Sequence, residues 1–318
     1  MKEVQQAGGA GCYTNIRMHR AGKRRFGVGL VRGCSLLALM AATTALAAQT
    51  ARPLEVSPEE LVRSTVANEV AAANSTTFKY MFRSRKQTPK GSQTKLYVET
   101  NEAMAGLLIA INDQPLTPQQ EQGEANHLAW LMNNPDQLRK KQAREKEDAD
   151  RTLGIVKALP DAFRYEYADA EKSEAGIGAS THLVRLKFVP NPAYSPPSRV
   201  EAVLTGMRGQ LVINTESRRI ALIDATLFKD VTFGWGILGR LDKGGHFRVR
   251  QADVGDGTWD ITEMDLGITG KILLFKTLSM VSDEVFSDFR RVSDNLTFAQ
   301  GAEMLEAEGK LAHDGHRP

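Results

Sequence analysis

Apolar positions along the chain change their period several times, and each change marks an element. In "SPEELVRSTVANEVAAANS", from residue 57, Leu61, Val62, Val66, Val70 and Ala73 recur at helical spacing. Ser57 is an N-cap residue, Pro58 suits the first helical position and Glu60 completes a capping box, so the spacing predicts a helix over 58–74. Beyond it the period drops to two. Phe78, Tyr80 and Phe82 alternate with Lys79, Met81 and Arg83, and Leu96 and Val98 oppose Tyr97 and Glu99. Residues 105–113, "AGLLIAIND", are apolar on both faces. From 117 to about 159 the helical period returns, opened by a second capping box (Thr117, Gln120) and divided by Pro135. Its stretch 139–151 predicts ion pairs at i,i+4 between Lys141 and Glu145, Arg144 and Asp148, and Glu147 and Arg151. From 163 to 292 strand follows strand, with turn residues at 190–197, 242–245 and 255–257. No crossover helices separate these runs, so an antiparallel meander is expected. Residues 296–318 read as a short amphipathic helix and a tail.

One hairpin stands out. In "GQLVINTESRRIALID", 209–224, Leu211 and Ile213 point one way and Val212 the other. Strict alternation puts Ile220 with Leu222 on one face and Ala221 with Ile223 on the opposite one. A strand with one face in water should not be apolar on both, so something is expected to cover the second face.

Charge changes meaning once the N-terminus is set aside. The 318-residue chain has a formal net charge of +3, but residues 1–47 hold seven basic side chains and one acid, which leaves 34 basic and 37 acidic residues beyond them. The basic balance therefore gives no reason to expect nucleic acid as a partner. Residues 18–47 have the layout of an export signal: a basic stretch, a short apolar core and the small-x-small site Ala45-Leu46-Ala47. Both cysteines, Cys12 and Cys34, fall in this leader, so an exported chain starting near Ala48 has no disulfide and no thiolate metal site. The expected organisation is a signal peptide (1–47), a linker (48–56), one domain (57–295) with a helical insertion at about 117–159, and a C-terminal helix and tail (296–318).

Motifs that carry chemistry are weak. "GWGILG" at 234–239 matches the nucleotide-binding G-x-G-x-x-G spacing, but no helical stripe follows it, and a glycine-rich bend is the better reading. "SQTK" at 92–95 leads into a strand, whereas the serine–lysine chemistry of that motif needs a helix. Glu124 and His127 are a surface pair, and His313, Asp314 and His316 belong to a tail. Asp256-Gly257 reads as a hairpin turn. No G-x-S-x-G, H-E-x-x-H or phosphate-binding loop occurs, so the chain is expected not to be an enzyme and to carry no cofactor and no metal.

An amphipathic helix, a long antiparallel meander and a helical interruption behind a leader resemble the periplasmic lipoprotein carriers of the LolA/LolB kind. The stretches that carry the resemblance are "GQLVINTESRRIALIDATLF" and "LGITGKILLFKTLSMVSDEVFSDFRRV". It implies an α+β fold in which a large curved antiparallel sheet, a half-barrel, has its concave face covered by the N-terminal helix and the insertion. It further implies a periplasmic, monomeric, non-enzymatic protein that binds lipid or lipoprotein acyl chains in an apolar cavity, as carrier or envelope sensor, and leaves room for a membrane-protein partner. The expected cavity-lining residues are Phe78, Tyr80, Phe82, Leu107, Ile109, Leu222 and Leu274. The alternative is an envelope protein–protein interaction module with a self-filled core and no ligand.

Overall fold

The computed structural model describes residues 56–75, 78–168, 182–233, 238–272 and 276–314. The leader, Trp235 and Leu274 lie outside them. Helix α1 spans Pro58–Ala73, with Ser57 Oγ accepting the Glu60 amide at its start. Four strands follow: β1 (Lys79–Thr88), β2 (Gly91–Val98), β3 (Ala105–Ile111) and β4 (Gln114–Pro115). The expected division at Pro135 is present as α2 (Pro118–Asn133) and α3 (Pro135–Ala162), and Thr117 and Gln120 form the capping box. Lys141 pairs with Glu145 and Arg151 with Glu147, while Asp148 is paired with Arg151. Then come β5 (Phe163–Tyr167), β6 (Leu183–Pro190), α4 (Arg199–Ala202), β7 (Met207–Asn214), β8 (Arg219–Leu227), β9 (Val231–Phe233) and β10 (Gly239–Leu241). Two long strands, β12 (Thr258–Ile272) and β13 (Lys276–Val292), follow β11 (His246–Gly255), and α5 (Phe298–Asp314) ends the fold. The turn at Asp256-Gly257 joins β11 to β12, both residues at positive φ.

The sheet is antiparallel throughout and runs β4-β3-β2-β1-β13-β12-β11-β8-β7-β6-β5, with β9 and β10 attached beside β12. The first strands of the domain and its last strand meet at its centre, where β1 pairs with β13. This is an α+β fold, but not the expected half-barrel. The sheet is open, its ends at β4 and β5.

Register shows why one helical cover cannot serve it. Residues paired across an antiparallel ladder share a face. Phe286, Glu284, Met264, Val249, Ile223, Leu211 and Leu186 are linked by pairing or by a two-residue step, so they share one face from β13 to β6. On that face, at the β5–β8 end, Val62 and Val66 of α1 and Leu159 and Ala162 of α3 close the larger core against Leu186, Leu211, Ile213 and Ile220. On the opposite face, at the β1–β3 end, Leu128 and Leu131 of α2 and Phe298, Ala302 and Leu305 of α5 close a second core against Met81, Val98, Ala105 and Leu107. The helices thus cover opposite faces at opposite ends.

The doubly apolar hairpin is β7–β8. One face meets α1, and on the other Val212, Ala221 and Leu222 pack with Leu183 and Trp259. Its alternation is broken: Val212 pairs with Leu222 but Ile213 with Ile220, which makes Ala221 the extra residue of a β-bulge. The bulge separates Ile220 and Leu222, which strict alternation places together. Ile220 joins the core under α1, and Leu222 joins the cluster with Trp259.

Candidate functional site

Between α2, α5 and the β1–β3 end of the sheet lies an open groove of about 1020 Å³. That volume is at the upper end of the range of small-ligand sites, roughly 300–1,000 Å³. Leu107, Ile109 and Val285 form apolar parts of its lining, and Gly309 of α5 faces Leu107 and Ile109. A Cβ at Gly309 would stand 2.9 Å from Leu107 Cδ2 and 4.0 Å from Ile109 Cγ2, so a side chain there would occupy groove volume. Val285 is 44% exposed although β13 is a central strand of the sheet. Arg290 of β13 reaches α5, its guanidinium 2.8 Å from Glu308.

Several charged groups around the groove are engaged locally, while Glu121, Glu306 and Lys310 also line it. Arg85 Nε and Nη2 donate to Asp113 Oδ1 and Oδ2 at 2.7 and 2.6 Å. Arg83 lies 3.0 Å from Asp288, and Glu124 accepts the Leu108 amide at 3.2 Å. The fork of Arg85 holds the Asp113 carboxyl below the usual aspartate range, chiefly through those hydrogen bonds. A depressed carboxylate contributes stability above its unfolded pKa and loses it as pH falls through the folded value. Arg85→Gln should therefore raise the Asp113 pKa back to the ordinary range, read by NMR titration of its side-chain carbon. The stability difference from the parent should be small, fully present at neutral pH and absent in acid.

The structure separates the residues that sequence reasoning grouped. Leu107 and Ile109 line the groove. Phe78, Tyr80 and Phe82 belong to an aromatic cluster on the opposite sheet face. There Phe82 stacks on Tyr97 and Phe289 at centroid distances of 5.5 and 5.3 Å. Tyr80 Oη donates toward Thr258 Oγ1 and Gly255 O at 3.2 and 3.3 Å, and Arg291 covers the Phe78 ring. Leu222 is enclosed with Val212, Ala221, Leu183 and Trp259, and Leu274 lies outside the described residues. Of the weak motif residues, Glu124 is spent on the Leu108 amide and His127 stacks on Trp130. Val285 and Gly309 were missed. Val285 is one apolar residue in a strand of mixed pattern, and a helical glycine in a sequence carries no mark of what it faces.

No family model, no curated protein and no solved structure matches this chain. The likeness to LolA/LolB-type carriers is thus unsupported by comparison, and the open sheet with helices on opposite faces contradicts it.

Proposed function

We propose that the protein is an exported, non-enzymatic binding protein for acyl chains, and that the chain lies in the groove between α5, α2 and the sheet. The observation that carries this reading is the lining: Leu107, Ile109 and Val285 offer apolar surface to a volume of about 1020 Å³, while Arg85 and Arg83 beside them are matched by Asp113 and Asp288. An apolar wall open to water favours an occupant that removes that water, at about 25 cal/mol per Å² of apolar surface covered. Each methylene transferred contributes about 0.8 kcal/mol, so about ten of them supply about 8 kcal/mol, the scale of a micromolar Kd. Binding without chemistry is all that this requires, because the ligand is held by its tail. The test is titration with a fluorescent fatty acid, paired with native mass spectrometry of protein purified from its host. Saturable binding on the order of micromolar, and a co-purifying lipid mass, are expected. Failure of both removes the proposal.

A further inference from the structure

A different part of the sheet carries an independent inference. Beyond β11 the strands β9, β10, β12 and β13 extend together, and their ends meet where Gly239 pairs with both Phe233 and Ile272. Large apolar side chains are exposed there: Ile272 at 38%, Leu238, which precedes the ladder partner Gly239, at 37%, and Met280 at 47%. Ile272 and Met280 share a face, because Ile272 pairs with Lys276 and Ile268 with Met280. Lys271 and Lys276 flank Ile272, both exposed, and neither forms an ion pair among the described residues. Leu273, Leu274 and Phe275, which separate Ile272 from Lys276 in the sequence, lie outside the described residues.

We propose that this strand end, built around Ile272 and Leu238 with Lys271 and Lys276 at its margin, seats the protein on an anionic lipid surface. Exposed apolar side chains beside these exposed lysines match such a surface on both counts. The side chains enter the boundary between headgroups and acyl chains, and the ammonium groups reach the phosphates. A second copy of the chain fits less well, since a two-fold contact through this end would bring the lysines of one copy against those of the other. Nothing in this contact involves the groove, so the two proposals stand or fall separately.

The test is co-sedimentation of the purified protein with vesicles of phosphatidylcholine alone or mixed with phosphatidylglycerol. Binding is expected to the mixed vesicles, with at least a tenfold weaker partition for the double variant Ile272→Glu/Leu238→Glu. Both positions are more than a third exposed and at a strand end, so that variant should fold, and circular dichroism checks it. Lys271→Ala/Lys276→Ala should abolish the preference for phosphatidylglycerol, and salt should weaken binding of the parent. Gly309→Phe should leave vesicle binding intact whatever it does to the groove. The proposal is overturned if the parent stays in the supernatant, if the folded double variant sediments as well as the parent, or if this end instead mediates a concentration-dependent dimer with no vesicle binding.

Discussion

Arg219→Met should destabilise the fold by about 3–5 kcal/mol, measured as a fall in the midpoint of urea unfolding, because it leaves a buried carboxylate without its partner. Arg219 and Glu69 are both 0% exposed. Arg219 Nε donates to Glu69 Oε1 at 3.0 Å, Nη2 lies 2.9 Å from Oε2, and the Ile220 amide donates to Oε1 at 2.7 Å. Glu69 is on α1 and Arg219 opens β8, so the pair ties the first helix to the start of that strand. Asn68, one residue earlier, donates to the carbonyls of Ser217 and Arg218 in the turn. Burial pushes the Glu69 carboxyl above the ordinary range even though Arg219 and the Ile220 amide pull it down. Without Arg219 the largest opposing influence is gone. A carboxyl raised in the folded state loses stability as pH rises through its folded pKa. The cost of Arg219→Met should therefore be smaller in acid, where the carboxyl is protonated, than at neutral and alkaline pH. A double variant, Glu69→Leu/Arg219→Met, removes both charges and should recover most of the loss, since an apolar pair of similar volume often replaces a buried ion pair at little cost.

Gly209→Ala is expected to cost about 3 kcal/mol, the upper part of the usual range for overpacking, read from thermal or urea unfolding. Gly209 in β7 pairs with Phe188 of β6 and Ala225 of β8. A Cβ there would lie 1.9 Å from the Asp224 carbonyl oxygen and 2.8 Å from the Ala225 Cα, both backbone atoms of the adjacent strand. Backbone cannot turn aside as a side chain can, so the β7–β8 ladder must separate locally or shift. The effect should fall on stability and leave an acyl ligand's affinity unaltered, because the groove lies on the other face at the other end of the sheet.

Local chemistry was legible wherever a short segment decides it. Ser57, Pro58 and Glu60 mark the start of α1, Pro135 divides α2 from α3, and Asp256-Gly257 makes its turn. These signals act within a few residues, so a linear reading finds them. Non-local pairing was not legible. The β1–β13 contact joins Lys79 to Val292, and β8 pairs with β11 past two intervening strands. The bulge at Ala221 reversed the face of Ile220 relative to Leu222, which no periodicity rule reveals. Glu69 fell between apolar positions of the α1 stripe, and its buried partner is 150 residues away. At the site, Leu107 and Ile109 were visible as a doubly apolar strand, and the structure sets that apolar strand beside the groove. The aromatic residues Phe78, Tyr80 and Phe82, read from an alternating strand as lining the same cavity, fill a core on the opposite face. Apolar alternation reports burial, and whether a side chain meets other side chains or a groove depends on where the helices stop.

The central claim is that the groove beside α5 holds an acyl chain, and Gly309→Phe tests it most directly. The substitution directs a ring toward Leu107 and Ile109, into the groove, and removes a glycine from a helix interior, which by itself favours the helix by roughly a few tenths of a kcal/mol. In a fluorescent fatty-acid titration the parent protein should saturate, and the variant, shown by circular dichroism to be folded, should bind at least tenfold more weakly. Equal affinity in a folded Gly309→Phe variant would contradict the account.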